Sequence, residues 1–191
     1  MTTKEPKRVV LIGGGVRSGK SAFAVRRALA LGERRAFVAT AEAWDDEMAR
    51  RIAAHREERA GLFETIEEPL ELVSALGRAS SHDVVVIDCL TLYVSNLLMK
   101  ELDDAAIRER FDALVDALRR PSAHVILVTN EVGLGIVPEN ALARRFRDLA
   151  GTLHQRLARV SDELYLATMG VLLRLRPSPV EAIAPHDDDA D

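Results

Sequence analysis

At 191 residues, with 48% hydrophobic and 29% charged side chains, the chain has the size and composition of one globular domain with a sizeable core. A net charge of -4 argues against nucleic acid as the main partner, and no apolar run approaches the ~20 residues a membrane helix needs. The single cysteine, Cys89, excludes an internal disulfide framework and, with a polar start that makes a poor signal peptide, points to a cytoplasmic protein.

Val9 to Ile12 is a short apolar, β-branched run that predicts a buried strand, and Ala22 to Leu31 predicts a helix. Between them Gly14, Gly15, Val16, Arg17, Ser18, Gly19, Lys20 and Ser21 fit the phosphate-binding pattern G-x-x-x-x-G-K-[ST] at every fixed position. Glycines let successive backbone N–H groups turn toward one anion, and the helix N-terminus adds partial positive charge. Lys20 is then expected at the β/γ-phosphates of a nucleotide and Ser21 on Mg²⁺. Val16 should point outward from the loop.

The next strand is predicted over Ala36 to Ala39, ending at Thr40-Ala41-Glu42. Asp45 to Arg59 follows as a charged helix with a narrow stripe of Met48 and Ile52, and His55 one turn further on. On the residues alone, His55 is a histidine near a helix end, a position at which a solvated or capping role is the commoner one. Phe63 to Glu67 alternates as a strand, and a helix runs from Pro69 to Leu76. Val84 to Asp88 is a buried strand with an acidic carboxyl end, the expected form of a second nucleotide motif whose aspartate holds Mg²⁺. Cys89 beside it reads as a packing residue.

Helices are expected over Thr91 to Met99 and Asp103 to Leu118, a strand over His124 to Thr129, and a functional loop from Asn130 to Asn140. Ala141 to Val160 is a long helix whose arginines either meet phosphates or face solvent. Two last strands, Glu163 to Ala167 and Val171 to Leu175, close a domain of residues 1–176, and residues 177–191 read as a mobile acidic tail. Strands alternating with helices predict an α/β, three-layer fold of the P-loop NTPase type, with a mainly parallel sheet and helices on both faces.

The chain resembles the bifunctional adenosylcobinamide kinase / adenosylcobinamide-phosphate guanylyltransferase family of cobalamin biosynthesis. The resemblance spans roughly Val9 to Leu175 and rests on four blocks in order. These are the glycine loop; Asp45-Asp46-Glu47-Met48 with Arg51-Ile52 and His55; Asp88-Cys89-Leu90-Thr91 with Asn96-Leu97-Leu98; and Thr129 to Asn140 continuing to Phe146-Arg147-Asp148 and Gly151. It implies phosphorylation of adenosylcobinamide by GTP or ATP, followed by transfer of GMP from GTP through a guanylylated histidine at His55. It also implies GTP contacts at Ala39, Thr40, Ala41, Arg56, Glu57, Glu58, Arg59, Glu67 and Asp88, besides the glycine loop, and a homotrimer. Such a family commonly has Asn where this chain has His154, which reads either as a substitution at a contact site or, the preferred reading, as a harmless surface change. The alternatives weighed against this are a single-function P-loop small-molecule kinase and a nucleotide-gated binding protein.

Overall fold

The computed structural model describes residues 6–43 and 45–183, with the side chains of Arg51 and Glu58 outside the described set. Eight strands form one sheet: β1 (Val9–Gly14), β2 (Arg35–Ala39), β3 (Glu64–Glu67), β4 (Val84–Asp88), β5 (His124–Asn130), β6 (Glu163–Thr168), β7 (Val171–Arg176) and β8 (Glu181–Ile183). Their spatial order is β3-β2-β4-β5-β1-β6-β7-β8. The pairs joining β1 to β6 are all parallel, and the β6/β7 and β7/β8 pairs are antiparallel. The helices among the described residues are α1 (Lys20–Leu31), α2 (Asp46–Glu58), α3 (Leu72–Arg78), α4 (Leu90–Met99), α5 (Asp104–Leu118) and α6 (Ala141–Val160).

The central strands are near-continuous apolar runs because both faces of the sheet are covered. Alternation along β1 divides the core. Val10 and Ile12 pack with Phe37, Val86, Ile126 and Val128 under Ala24 and Ala28 of α1. Val9 and Leu11 join Val85, Val125 and Leu127 beneath α3, α4, α5 and α6, where Leu97, Phe111, Leu114 and Leu153 are buried. The result is three layers, as expected. Ile126 is fully buried on a central strand, so Ile126→Ala is expected to lower unfolding free energy by about 2–5 kcal/mol in urea titrations, through lost burial and a residual cavity.

Two expectations shift. Pro69 lies ahead of α3 and not in its first turn, because the Glu68 carboxylate accepts the Leu70 and Glu71 amides at 3.2 and 2.9 Å and holds the chain non-helical there. The segment read as a tail from residue 177 contains β8, an edge strand tied to β7 by its ladder and by an Arg174–Glu181 ion pair. Residues 184–191 of that tail lie outside the described residues.

Candidate nucleotide and transfer site

Parallel pairing brings the carboxyl ends of six strands to one edge, with Ala39 opposite Asp88 and Gly14 opposite Asn130. The loop leaving β1 is built by close approach. A Cβ on Gly14 would lie 2.4 Å from the Ala167 carbonyl oxygen, and Gly19 has φ 88°, in the left-handed region that only glycine enters cheaply. Gly15, Val16 and Arg17 face solvent, Val16 with 78% exposure, as expected for its outward side chain. Ser18 is buried, and its hydroxyl has no hydrogen-bond partner among the described residues. An orphaned donor inside an amide-lined loop suits an anion.

Lys20 is buried, and its Nζ donates to the Gly15 carbonyl at 2.9 Å, so the ammonium curls back over the loop. Burial lowers its pKa, opposed by the nearby Asp88 and Cys89. Ser21 Oγ donates to Asp88 Oδ2 at 3.1 Å, linking the start of α1 to the end of β4 across the intervening β5. The Asp88 carboxyl is pushed up by burial, against the Ser21 hydrogen bond and the charges of Lys20, Arg59 and His55. Burial likewise raises the Cys89 thiol, which bears out its reading as a packing residue and not a nucleophile. Ser21 and Asp88 are hard oxygen donors side by side. Two such ligands fit Mg²⁺, which takes few protein oxygens and completes its octahedron with phosphates and water.

Thr40 is fully buried, and its polar groups are all committed within the protein. Its Oγ1 both accepts from the Cys89 amide and donates to the Cys89 carbonyl at 2.8 Å, its N–H meets Asp88 O, and its carbonyl takes the Asn96 amide. It therefore clamps the ends of β2 and β4 together. Ala39 and Ala41 flank it, half-buried.

No residue of α2 with a described side chain is buried; Met48 and Ile52 are half-buried and His55 is exposed, so the imidazole stands off the apolar stripe. The Asp45 side chain caps the helix through the Met48 amide at 2.7 Å. Its other end meets the sheet through Arg56 and Arg59. Arg56 pairs with Glu67 at 3.3 Å, both well exposed, and the Arg59 guanidinium lies 3.8 Å over the Phe37 ring. Glu57 is exposed, and the Glu58 side chain is outside the described set. His55 is thereby held within electrostatic reach of Asp88.

Polar residues inside the edge, quoted above as parts of longer blocks with no role given to them singly, hold the strand ends together. Asn96 sits among the buried leucines of α4 and reaches Thr40 O and Pro69 O at 2.8 and 3.2 Å; a lone amide in an apolar helix was the available signal. Asn130 donates to Thr91 Oγ1 at 2.9 Å. His154 is a correction: it is not on the surface, its side chain being 16% exposed, with Nε2 2.6 Å from Thr129 Oγ1 and Nδ1 4.0 Å from Glu131 Oε2. Four α6 arginines are committed to partners within the protein. Arg144 and Arg147 bind carbonyls of the 133–139 loop, while Arg145 and Arg156 bind Asp104 and Asp112.

Burial holds the His154 imidazole below its ordinary pKa, against the raising effect of Glu131. In the unfolded chain it protonates near pH ~6.5, while the folded chain resists the proton. Stability is thus kept above that pH and lost as pH falls below it. Urea midpoints are expected to drop as pH falls below about 6.5, and to drop less in His154→Asn.

A glycine loop between a central strand and its helix, a buried lysine, and a serine–aspartate pair across the sheet define a P-loop nucleotide-binding protein. The fold agrees: a RadB recombinase has TM-score 0.52 at 17% identity, covering 93% of this chain and 86% of its own. A further solved ATPase domain has TM-score 0.50 at 16% identity, covering 93% and 80%. The chain belongs to the cobinamide kinase / cobinamide phosphate guanyltransferase family, whose model matches residues 10–175. It is 42% identical over 171 residues to the bifunctional adenosylcobalamin biosynthesis protein CobP of Pseudomonas aeruginosa, covering 89% of this chain and 98% of the relative. It is 39% identical over 184 residues to the bifunctional adenosylcobalamin biosynthesis protein CobU of Salmonella typhimurium, covering 88% and 99%. It is an enzyme of that family, a kinase and guanylyltransferase of cobalamin biosynthesis.

Proposed function

We propose that both reactions share one nucleotide site, with His55 as the covalent carrier of GMP. A nucleoside triphosphate, GTP or ATP, lies in the Gly14 to Ser21 loop and gives its γ-phosphoryl group to the hydroxyl of adenosylcobinamide. GTP then loses pyrophosphate to His55, and GMP passes to the corrinoid phosphate, giving adenosylcobinamide-GDP. The observation that carries this reading is the loop itself, where Ser21 Oγ meets Asp88 Oδ2 at 3.1 Å beside the buried Lys20, while the helix bearing the exposed His55 is tied to the same sheet edge through Arg56 and Glu67.

In the transfer half, a neutral imidazole nitrogen attacks the α-phosphorus as the bond to the bridging oxygen breaks, its electron pair leaving with pyrophosphate. Loop amides and Lys20 take up the developing charge. The corrinoid phosphate oxygen next attacks the same phosphorus, and the P–N bond pair returns to the imidazole. Ser21 and Asp88 would hold Mg²⁺, which when bound neutralises phosphate charge. Arg56, Arg59 and Glu67 steady the helix carrying the nucleophile, and Thr40 fixes the strand ends beneath it.

The remaining expectations follow the resemblance: a cytoplasmic homotrimer with a corrinoid and a nucleotide as its small-molecule ligands. The exposed α2 is suited to a subunit boundary, and no described helix is long and apolar enough to cross a membrane. The test is incubation with α-labelled GTP. Label should remain on the protein in base, leave in acid, and move to corrinoid phosphate on its addition; an unlabelled protein that still makes the guanylylated product removes the covalent step.

A further inference from the structure

The kinase half needs a group to align the acceptor hydroxyl and receive its proton, and neither Lys20 nor the loop amides can accept one. Five acidic side chains lie at or just past the strand ends of this edge, and one of them, Glu68, is committed to Arg78 and to the Leu70 and Glu71 amides. Asp88 is engaged by Ser21, and Glu67 is paired with Arg56 at the outer strand β3. Glu42 follows β2, separated from the loop strand β1 by β4 and β5. Glu131 follows β5, the strand paired directly with β1, and its own N–H donates to the Gly14 carbonyl at 3.0 Å.

We propose that Glu131 orients the acceptor hydroxyl and takes its proton during phosphoryl transfer, with His154 as the residue that positions its carboxylate. The inference rests on the kinase reading of the loop but not on the role of His55. The Glu131 carboxylate is fixed at one oxygen and open at the other: Oε1 accepts the Gly133 amide at 2.6 Å, and Oε2 faces His154 Nδ1 at 4.0 Å, beyond hydrogen-bond length. With 32% of the side chain exposed, it is reachable from solvent. Thr129 sits directly across from Gly13 and bonds the far side of the imidazole at 2.6 Å, so the ring is anchored to the strand beside the loop. When the Thr129 hydroxyl donates to Nε2, the ring's single N–H lies on Nδ1 and faces Glu131.

The chain just beyond supplies a landing surface. Leu134, Ile136 and Val137 are 86%, 96% and 66% exposed, while Arg147 holds the carbonyls of Gly133 and Ile136 in place. A bulky amphiphile resting its apolar edge there presents its alcohol beside Glu131. In the step itself the O–H proton goes to a Glu131 oxygen and the alcohol oxygen bonds to the γ-phosphorus. The bond from that phosphorus to the β-bridging oxygen breaks, and its electron pair leaves on the nucleoside diphosphate.

The experiment measures the two half-reactions separately, with ATP and cobinamide for the kinase and with α-labelled GTP for protein labelling. Glu131→Gln keeps an oxygen for the Gly133 amide and loses the base. Kinase kcat is expected to fall about 10²–10³-fold with nucleotide KM nearly constant, while labelling changes less than about threefold and so reports an intact fold. The same loss is expected in a His55→Ala background, which separates this inference from the covalent intermediate. His154→Gln, which keeps a donor, should retain more kinase kcat than His154→Leu. Kinase turnover within threefold of the parent, equal losses in both half-reactions, or a loss found in Glu42→Gln and absent in Glu131→Gln would each overturn the assignment.

Discussion

Lys20→Ala is expected to abolish both activities, lowering kcat/KM of each half-reaction by about 10²–10³-fold or more, since each builds negative charge on phosphate oxygens in the same loop. The ammonium is buried and parked on the Gly15 carbonyl at 2.9 Å. Arriving phosphates exchange that carbonyl for charge-assisted hydrogen bonds, which are about twice as strong. Loss of fold would not mimic this result. Burial disfavours the charged lysine in the folded chain, so truncation relieves a cost, and the urea midpoint should stay level or rise. Measuring both half-reactions on a variant with unchanged unfolding decides the matter: kinase turnover within tenfold of the parent would place the triphosphate elsewhere.

That lysine was legible in the sequence because a phosphate loop is a local device. Its glycines, lysine and serine are contiguous, and the flanking strand and helix announce themselves by apolar periodicity. The same holds for the buried strands β4 and β5, whose runs of valine, isoleucine and leucine have no other comfortable place. Assembly across the sheet was not legible from periodicity. Nothing in the spacing of Ser21 and Asp88 states that β5 inserts between their strands, yet that order brings the two side chains to 3.1 Å. His154 escaped for the same reason. Helix α6 shows its apolar face in Leu149, Leu153 and Leu157, and a polar residue beside them reads as surface until the end of β5 is seen to cover it with Thr129. The edge strand β8 escaped because three residues between prolines carry no periodicity.

Helix α2 joins these two levels. Its sequence specifies a well-capped helix, but little in the sheet receives it. The resulting support, a cation over Phe37 and an exposed ion pair to Glu67, is worth about 1 kcal/mol for each contact. An element held so lightly can approach or leave the loop without disturbing the core, where the central strands are buried on both faces. In the proposed cycle this lets one site serve two reactions in turn, with the imidazole near the α-phosphorus for one and a corrinoid alcohol near the γ-phosphorus for the other.

His55→Ala should therefore separate the two activities cleanly. The side chain is exposed and has no part in the apolar core, so its removal leaves the buried sheet and its packing intact. Kinase turnover with ATP is expected to stay within about threefold of the parent, because phosphoryl transfer needs alignment and charge stabilisation but no protein nucleophile. Labelling by α-labelled GTP should vanish, and corrinoid guanylylation should fall at least about 10⁴-fold, the scale on which removing a covalent nucleophile acts. Replacement by Gln distinguishes nucleophile from binding group, since an amide can hydrogen-bond a phosphate but cannot form the phosphoramidate. If His55→Gln still carried label, the covalent role would belong to another side chain, and His55 would return to being a helix-end histidine beside Asp88.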